Sequence, residues 1–225
     1  MKISIIVPAH NEEKTIGQVL RGVLELDLGE WEREVIVVDD GSSDGTGEIL
    51  KDSRFQDLKI ISHPKNLGKG AAIKSAIAKA TGDYVIIQDA DLEYFPQDIP
   101  KLLSAAKNRQ IVFGDRGVKR YPERGFHYVI GAKILTWTVN LLFGSRLHDL
   151  YTGYKLIPLQ VIRSFNLESA GFEFEAEVTC KILKAGYKIA EIPINYQPRN
   201  KEQGKHIRAK DAVLGLWTIV KFRLQ

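Results

Sequence analysis

The sequence predicts an α/β fold in which helices cover both faces of a mostly parallel central sheet. Three observations predict it. Short β-branched runs alternate with helical stripes through the first half of the chain, which implies crossover connections between parallel strands. Three polar clusters directly follow strand-like runs, the place where open parallel sheets bind their ligands. A chain of 225 residues, 44% hydrophobic and 27% charged, can also bury a sizeable core, which excludes a disordered protein.

Residues 2–7 read as a buried strand, and Ile16, Val19, Leu20, Val23 and Leu24 mark one stripe of the helix after it. Residues 34–38 and 58–62 are β-branched runs that read as the next two strands. Ala72, Ile73, Ala76, Ile77 and Ala80 form another helical face, closed by Gly82. Strands at 83–88 and 110–113 complete this half. Beyond Gly114 come a polar loop at 115–125, an apolar helix at 126–143 and a strand-like stretch at 151–157. A helix at 174–185, a strand at 187–196, a basic loop at 199–208 and a last helix at 209–224 follow. Without a repeat, low-complexity tract or linker, one domain over 1–225 is expected.

The net charge of +4 favours anionic partners. Nucleic acid is not expected among them, because the basic residues sit in two loops with little aromatic interleaving. Cys180 is the only cysteine, so no intrachain disulfide forms and a reducing, cytoplasmic compartment is expected. The apolar run before Pro8 is too short for a signal peptide. The stretch 126–143 contains His127, Lys133 and Asn140 and falls short of a membrane span.

The polar clusters are Pro8-Ala9-His10-Asn11-Glu12, Asp39-Asp40-Gly41-Ser42-Ser43-Asp44-Gly45-Thr46 and Asp89-Ala90-Asp91. Asp89 and Asp91 stand two apart in an extended segment, so their carboxylates can face one side. Such a pair suits Mg2+ or Mn2+ shared with substrate phosphates, and Glu93 is a candidate third ligand. Asp44 also reads as an N-cap. Other chemistries lack their patterns. Asn66-Leu67-Gly68-Lys69-Gly70 has no earlier glycine and no Ser or Thr to make a P-loop. No Gly-x-Gly-x-x-Gly follows the first strand, the histidines are scattered, which argues against zinc, and there is no nucleophile elbow.

Taken in order, these clusters resemble the family-2 glycosyltransferases with the GT-A fold, most of all polyprenyl-phosphate sugar transferases of the dolichol-phosphate mannose synthase type. The resemblance continues through Gly114-Asp115-Arg116, residues 149–155 (Asp-Leu-Tyr-Thr-Gly-Tyr-Lys) and Gly171-Phe172-Glu173-Phe174-Glu175. It covers residues 3 to about 205 and implies a Rossmann-like, GT-A-type domain with a nucleotide-sugar-binding half (1–113) and an acceptor-binding half (114–225). It further implies that Pro8, Ala9, Asn11, Glu12, Asp39, Asp40, Lys69 and Ala90 bind the donor, a GDP-mannose or UDP-glucose type of nucleotide sugar. Asp89 and Asp91 would hold the metal and the diphosphate. Arg116, Arg124, Arg199 and Lys205 would face the phosphate of a polyprenyl (dolichyl or undecaprenyl) acceptor, with Arg116 and Arg199 counted among the catalytic residues. The family often has Ser where Asp115 stands, and the chain through Gln225 lacks the C-terminal membrane helices of many relatives.

A phosphate monoester has a second pKa of roughly 6, so such an acceptor needs no general base, and in this family displacement inverts the anomeric carbon. If the acceptor were instead a sugar hydroxyl, Asp149 or Glu175 would be the candidate base. Trp31, Trp137 and Trp217 are expected in the core or at an interface, Cys180 as a small buried hydrophobe, and Glu173, Glu175 and Glu177 as a solvated cluster at a helix start. A lipid acceptor also implies peripheral contact with the cytoplasmic membrane surface, for which the helices at 126–143 and 209–224 carry apolar residues, tryptophan and flanking cations.

Overall fold

The computed structural model describes residues 1–106, 110–117, 126–199 and 209–225, with side chains for all of these except 126–128 and 209–211. Arg124 and Lys205 lie outside the described residues. Seven strands form one sheet: β1 (Lys2–Ala9), β2 (Glu32–Asp39), β3 (Lys59–Ser62), β4 (Tyr84–Ile87), β5 (Ile111–Asp115), β6 (Lys155–Pro158) and β7 (Ile189–Pro193), in the order β3-β2-β1-β4-β6-β5-β7. β1, β2, β3 and β4 run parallel, as do β5 and β7, while β6 is antiparallel to both its neighbours. The sheet is therefore mostly parallel, as expected, and its second half completes what the first begins.

Burial on both faces explains why the inner strands read as continuous apolar runs. On one face α1 (Ile16–Leu24) and α4 (Ile99–Ala105) cover Ile3, Ile5, Val7 and Ile86. On the other, α3 (Lys69–Lys79), α6 (Leu159–Arg163) and α7 (Phe174–Lys184) cover Ile6, Ile36, Val38 and Ile87. A third cluster joins α7 to α5 (Phe126–Phe143) and α8 (Ala209–Leu224) through Leu135, Val139, Cys180, Ile219 and Phe222. The short α2 (Thr46–Leu50) follows Asp44, whose Oδ1 accepts the Thr46 N–H at 2.9 Å.

Several expectations are corrected. In place of the stretch 151–157 the strand is Lys155–Pro158, because the chain before it turns to bring Gly153 N–H onto the Tyr94 hydroxyl at 2.7 Å. The last strand is also shorter than expected, ending at Pro193, with Tyr196 bridged to Tyr94 beyond it. The glutamates of α7 are not solvated: Glu175 and Glu177 are buried. Glu177 accepts the N–H groups of Glu168 and Ser169, and Glu173 those of Ala170 and Gly171. Trp31 packs edge-on to Tyr84, but Trp137 and Trp217 stand 64% and 59% exposed, outside any core.

Candidate active site

The carboxyl ends of β1, β2 and β4 meet at one edge of the sheet, and the loops leaving them are stitched together. Asn11 takes a left-handed φ of 56°, which asparagine tolerates better than most residues. Its Oδ1 accepts the Ser43 N–H at 2.8 Å and its N–H donates to Ser42 Oγ at 3.0 Å. Glu12 N–H donates to Thr46 Oγ1, and Gly45 N–H to Glu13 Oε2. Pro8 and Ala9 close β1 below this lattice, with the Ala9 carbonyl accepting the Asp40 N–H.

Asp39 and Asp40 part company here, since successive side chains leave a strand on opposite faces. Asp39 borders a cavity of about 220 Å³ shared with Gly47, Leu50, Lys51, Ile60 and Ser62, and its Oδ1 accepts the Ser42 N–H. Asp40 is buried beneath the segment 63–68. Its oxygens accept from His63 Nδ1 at 2.6 Å, Leu67 N–H at 3.0 Å and Gly68 N–H at 2.8 Å. In this structure Asp40 is engaged by the backbone and His63 of that segment. It shapes the turn that opens α3, where Gly68 has φ of 99° and any Cβ would meet the Ala170 carbonyl oxygen at 2.4 Å.

Lys69, first residue of α3, points into the site. Its Nζ lies 2.6 Å from Asp89 Oδ1 and 3.4 Å from Glu175 Oε1. Burial disfavours its charge, but Asp89 and Glu175 outweigh that and hold the ammonium above the ordinary lysine range. Glu175 continues the chain of charges: its Oε2 accepts from Lys155 Nζ at 2.7 Å. Burial pulls Lys155 below the ordinary range, while Glu175 and the carbonyls of Leu150 and Thr152 accept its protons. Lys155 was among the residues carrying the family resemblance, but nothing in its sequence context announced a buried ion pair.

Asp91 faces a second cation. Arg199 Nη2 lies 2.6 Å from Glu12 Oε1 and 3.2 Å from Asp91 Oδ2, and its backbone N–H donates to Glu93 Oε1 at 2.7 Å. Glu93 Oε2 accepts the Tyr196 hydroxyl. Both Glu93 oxygens thus anchor the segment 196–199 in this structure. Leu92, between the acids, adopts a left-handed φ of 59°, a strained state for leucine that concentrates at functional sites.

Arg116 is drawn into a buried ion pair. It is buried, its Nε and Nη2 donate to the two oxygens of Asp149 at 2.6 and 2.7 Å, and it lies over the Tyr196 ring. Burial opposes ionisation of Asp149, yet Arg116 holds that carboxyl below the usual carboxylate range. Behind it, Glu191 accepts the N–H groups of His148 and Asp149. Glu191 and Tyr94 escaped the sequence reading because they lie on a sheet edge and in a loop without motif.

Among the described residues no group of three or more His, Cys, Asp or Glu is placed to hold a metal. Asp89 and Asp91, with side chains 17% and 21% exposed, are therefore a pair of hard oxygen donors. Both are balanced by cations, and both are open to ligands from a substrate. That donor set fits Mg2+ or Mn2+ held jointly with phosphate oxygens.

Comparison with known proteins shows the family and the fold. A dolichol-phosphate mannosyltransferase of Pyrococcus furiosus is 29% identical over 91% of this chain, which spans only 59% of that protein's length. An undecaprenyl-phosphate mannosyltransferase of Micrococcus luteus is 27% identical over 91% of this chain and 87% of its own. An uncharacterised protein of Methanocaldococcus jannaschii is 30% identical over 96% and 97%. The crystal structure of glucosyl-3-phosphoglycerate synthase from Mycobacterium tuberculosis with Mg2+ and uridine diphosphate has a TM-score of 0.75 at 21% identity, covering 98% of this chain and 79% of that one; this likeness shows the GT-A fold. Residues 4–164 match the family described as Glycosyl transferase family 2, and across that majority of its length the chain belongs to this family and is a glycosyltransferase.

Proposed function

We propose that the protein moves a hexose from a nucleoside diphosphate sugar, of the GDP-mannose or UDP-glucose type, to a polyprenyl phosphate, with inversion and with Mg2+ or Mn2+ on Asp89 and Asp91. The observation that carries the reading is the strand-end pair Asp89 and Asp91, faced by Lys69 and Arg199 across one cleft. The names of the Pyrococcus and Micrococcus relatives support the acceptor class. When bound, the dication offsets negative charge that develops on the leaving diphosphate. Lys69 adds a fixed positive charge beside the same phosphates, Asp39 is posted to the base or ribose, and Asn11 and Glu12 hold the loops that frame them. Arg199 faces the acceptor, and Arg116 and Asp149 brace Tyr196 behind it.

A sugar-hydroxyl acceptor would require a base that attracts a proton near neutral pH. Asp149 is bound bidentately by Arg116, and Glu175 lies between Lys69 and Lys155. Arg116 holds the Asp149 carboxyl below the usual carboxylate range, and both oxygens of Glu175 already face lysines, which favours the phosphate acceptor. A lipid acceptor places the enzyme peripherally on the cytoplasmic membrane surface.

The test incubates the protein with a panel of nucleotide sugars, Mn2+ and polyprenyl phosphate, and identifies the lipid product by mass spectrometry. Asp91→Asn keeps the side chain's shape but removes its charge, so turnover should fall at least about a hundredfold. Turnover within fivefold of the parent would remove Asp91 from the metal site.

A further inference from the structure

The two acids at the end of β4 are held by their cations in different ways. Lys69 is enclosed, and Asp89 and Glu175 share its charge. Arg199 instead reaches across the cleft and ties the loop after β1, through Glu12, to the loop after β4, through Asp91. The pairs are unequal: Arg199 approaches Glu12 to 2.6 Å and Asp91 to 3.2 Å. The backbone of Arg199 is fixed independently, because its N–H is bound by Glu93. The guanidinium can therefore release Asp91 while keeping Glu12 and its place in the chain.

We propose that Arg199 is a built-in counter-ion that competes with the divalent cation for Asp91. This rests on Asp91 being a metal ligand. A guanidinium and a dication repel one another at a shared carboxylate, and at this depth solvent screens that repulsion only in part. The cation alone then binds weakly, since it must first displace Arg199. A nucleoside diphosphate changes the balance, because its phosphate oxygens offset the cation's charge and with it the repulsion of the guanidinium, which stays on Glu12. Metal and nucleotide consequently bind cooperatively, and by linkage each raises the affinity for the other equally. Arg199 thereby suppresses loading of the ion without the donor.

Mn2+ binding to the full chain, followed by the electron paramagnetic resonance of free Mn2+, tests this with no turnover involved. Without nucleotide, Arg199→Gln should bind Mn2+ at least about fivefold more tightly than the parent, because one competing unit charge is gone. Arg199→Lys keeps the charge but lacks the fork that spans two carboxylates; it should fall between them and serves as the milder variant if glutamine disturbs the fold. Adding GDP or UDP should improve Mn2+ affinity less in Arg199→Gln than in the parent. Equal or weaker Mn2+ binding by both folded variants overturns the competition while leaving Asp91 as a ligand. If Asp91→Asn binds Mn2+ as the parent does, or if no form binds it, the metal assignment fails and the competition with it.

Discussion

Asp39 and Asp40 are neighbours in sequence and offer the same carboxylate, yet only Asp39 borders the open cavity. Pattern alone placed both against the donor, because a motif records residue types and not which face of a strand end each will take. The structure instead gives Asp40 to the turn at 63–68 and, through it, to the position of Lys69. A double-mutant cycle separates the two roles. Asp40→Asn should weaken nucleotide binding about tenfold in the parent by loosening Lys69, and less than about twofold once Lys69→Met has removed the ammonium. Additive losses in calorimetry would mean that Asp40 touches the donor itself. The same limit explains Arg116 and Glu93. Sequence marked them as functional, but their partners Asp149, Tyr196 and Arg199 come from distant segments that only the fold brings together.

Elements were legible where a pattern ran long enough to repeat. The boundaries of α8, the stripe of α1 and the strands β1 to β5 all emerge near their expected places. The short α4 and α6 did not, since seven and five residues hold too little of a 3.6-residue period to stand out. Reversal of β6 was equally hidden, because a buried strand reads the same in either direction. Side chains that fasten elements from far apart were also invisible. Glu34 on β2 is the clearest: its carboxylate accepts from Ser4 on β1, Lys59 on β3, and the N–H and hydroxyl of Thr81 before β4. Burial opposes its charge, yet these bonds outweigh burial and bring the carboxyl down to about 2. A depressed carboxyl stabilises the fold above its unfolded value, and that contribution is lost as pH falls through the folded one. Glu34→Gln should therefore cost on the order of 3 kcal/mol at neutral pH and progressively less from about pH 4.5 down to about pH 2. Urea melts across that range check it; a loss that does not shrink with acid would assign the effect to packing.

At the scale of the whole molecule, the exposed tryptophans bear on where the enzyme works. No helix among the described residues is long and apolar enough to cross a membrane. Yet Ile130, Ile134, Trp137 and Leu141 form one exposed stripe of α5, and Val213, Trp217, Val220 and Leu224 form another on α8. Both follow the spacing of a single helical face. Leu135, Val139, Ile219 and Phe222, on the opposite sides, fill the core that binds the two helices together. The outward stripes are thus additional to what packing requires. Cations accompany them, with Lys221 over the Trp217 ring, Arg223 over Phe143 and Lys133 exposed beside Ile134. Apolar faces with tryptophan and flanking cations suit the headgroup boundary of an anionic bilayer, and that is where the phosphate of a polyprenyl acceptor would be met. Each cation near such a surface contributes about 1 kcal/mol, screened by salt. The protein should accordingly pellet with anionic liposomes at low ionic strength and detach as salt is raised. Trp137→Ser combined with Trp217→Ser should reduce pelleting several-fold while leaving nucleotide binding unchanged, because both tryptophans face outward from α5 and α8, whose inner sides pack with α7 rather than with the strand ends that carry Asp39, Asp89 and Asp91. Pelleting that is absent at low salt, or indifferent to both tryptophans, would leave the stripes to some other partner and require the lipid to be delivered to the cleft in another way.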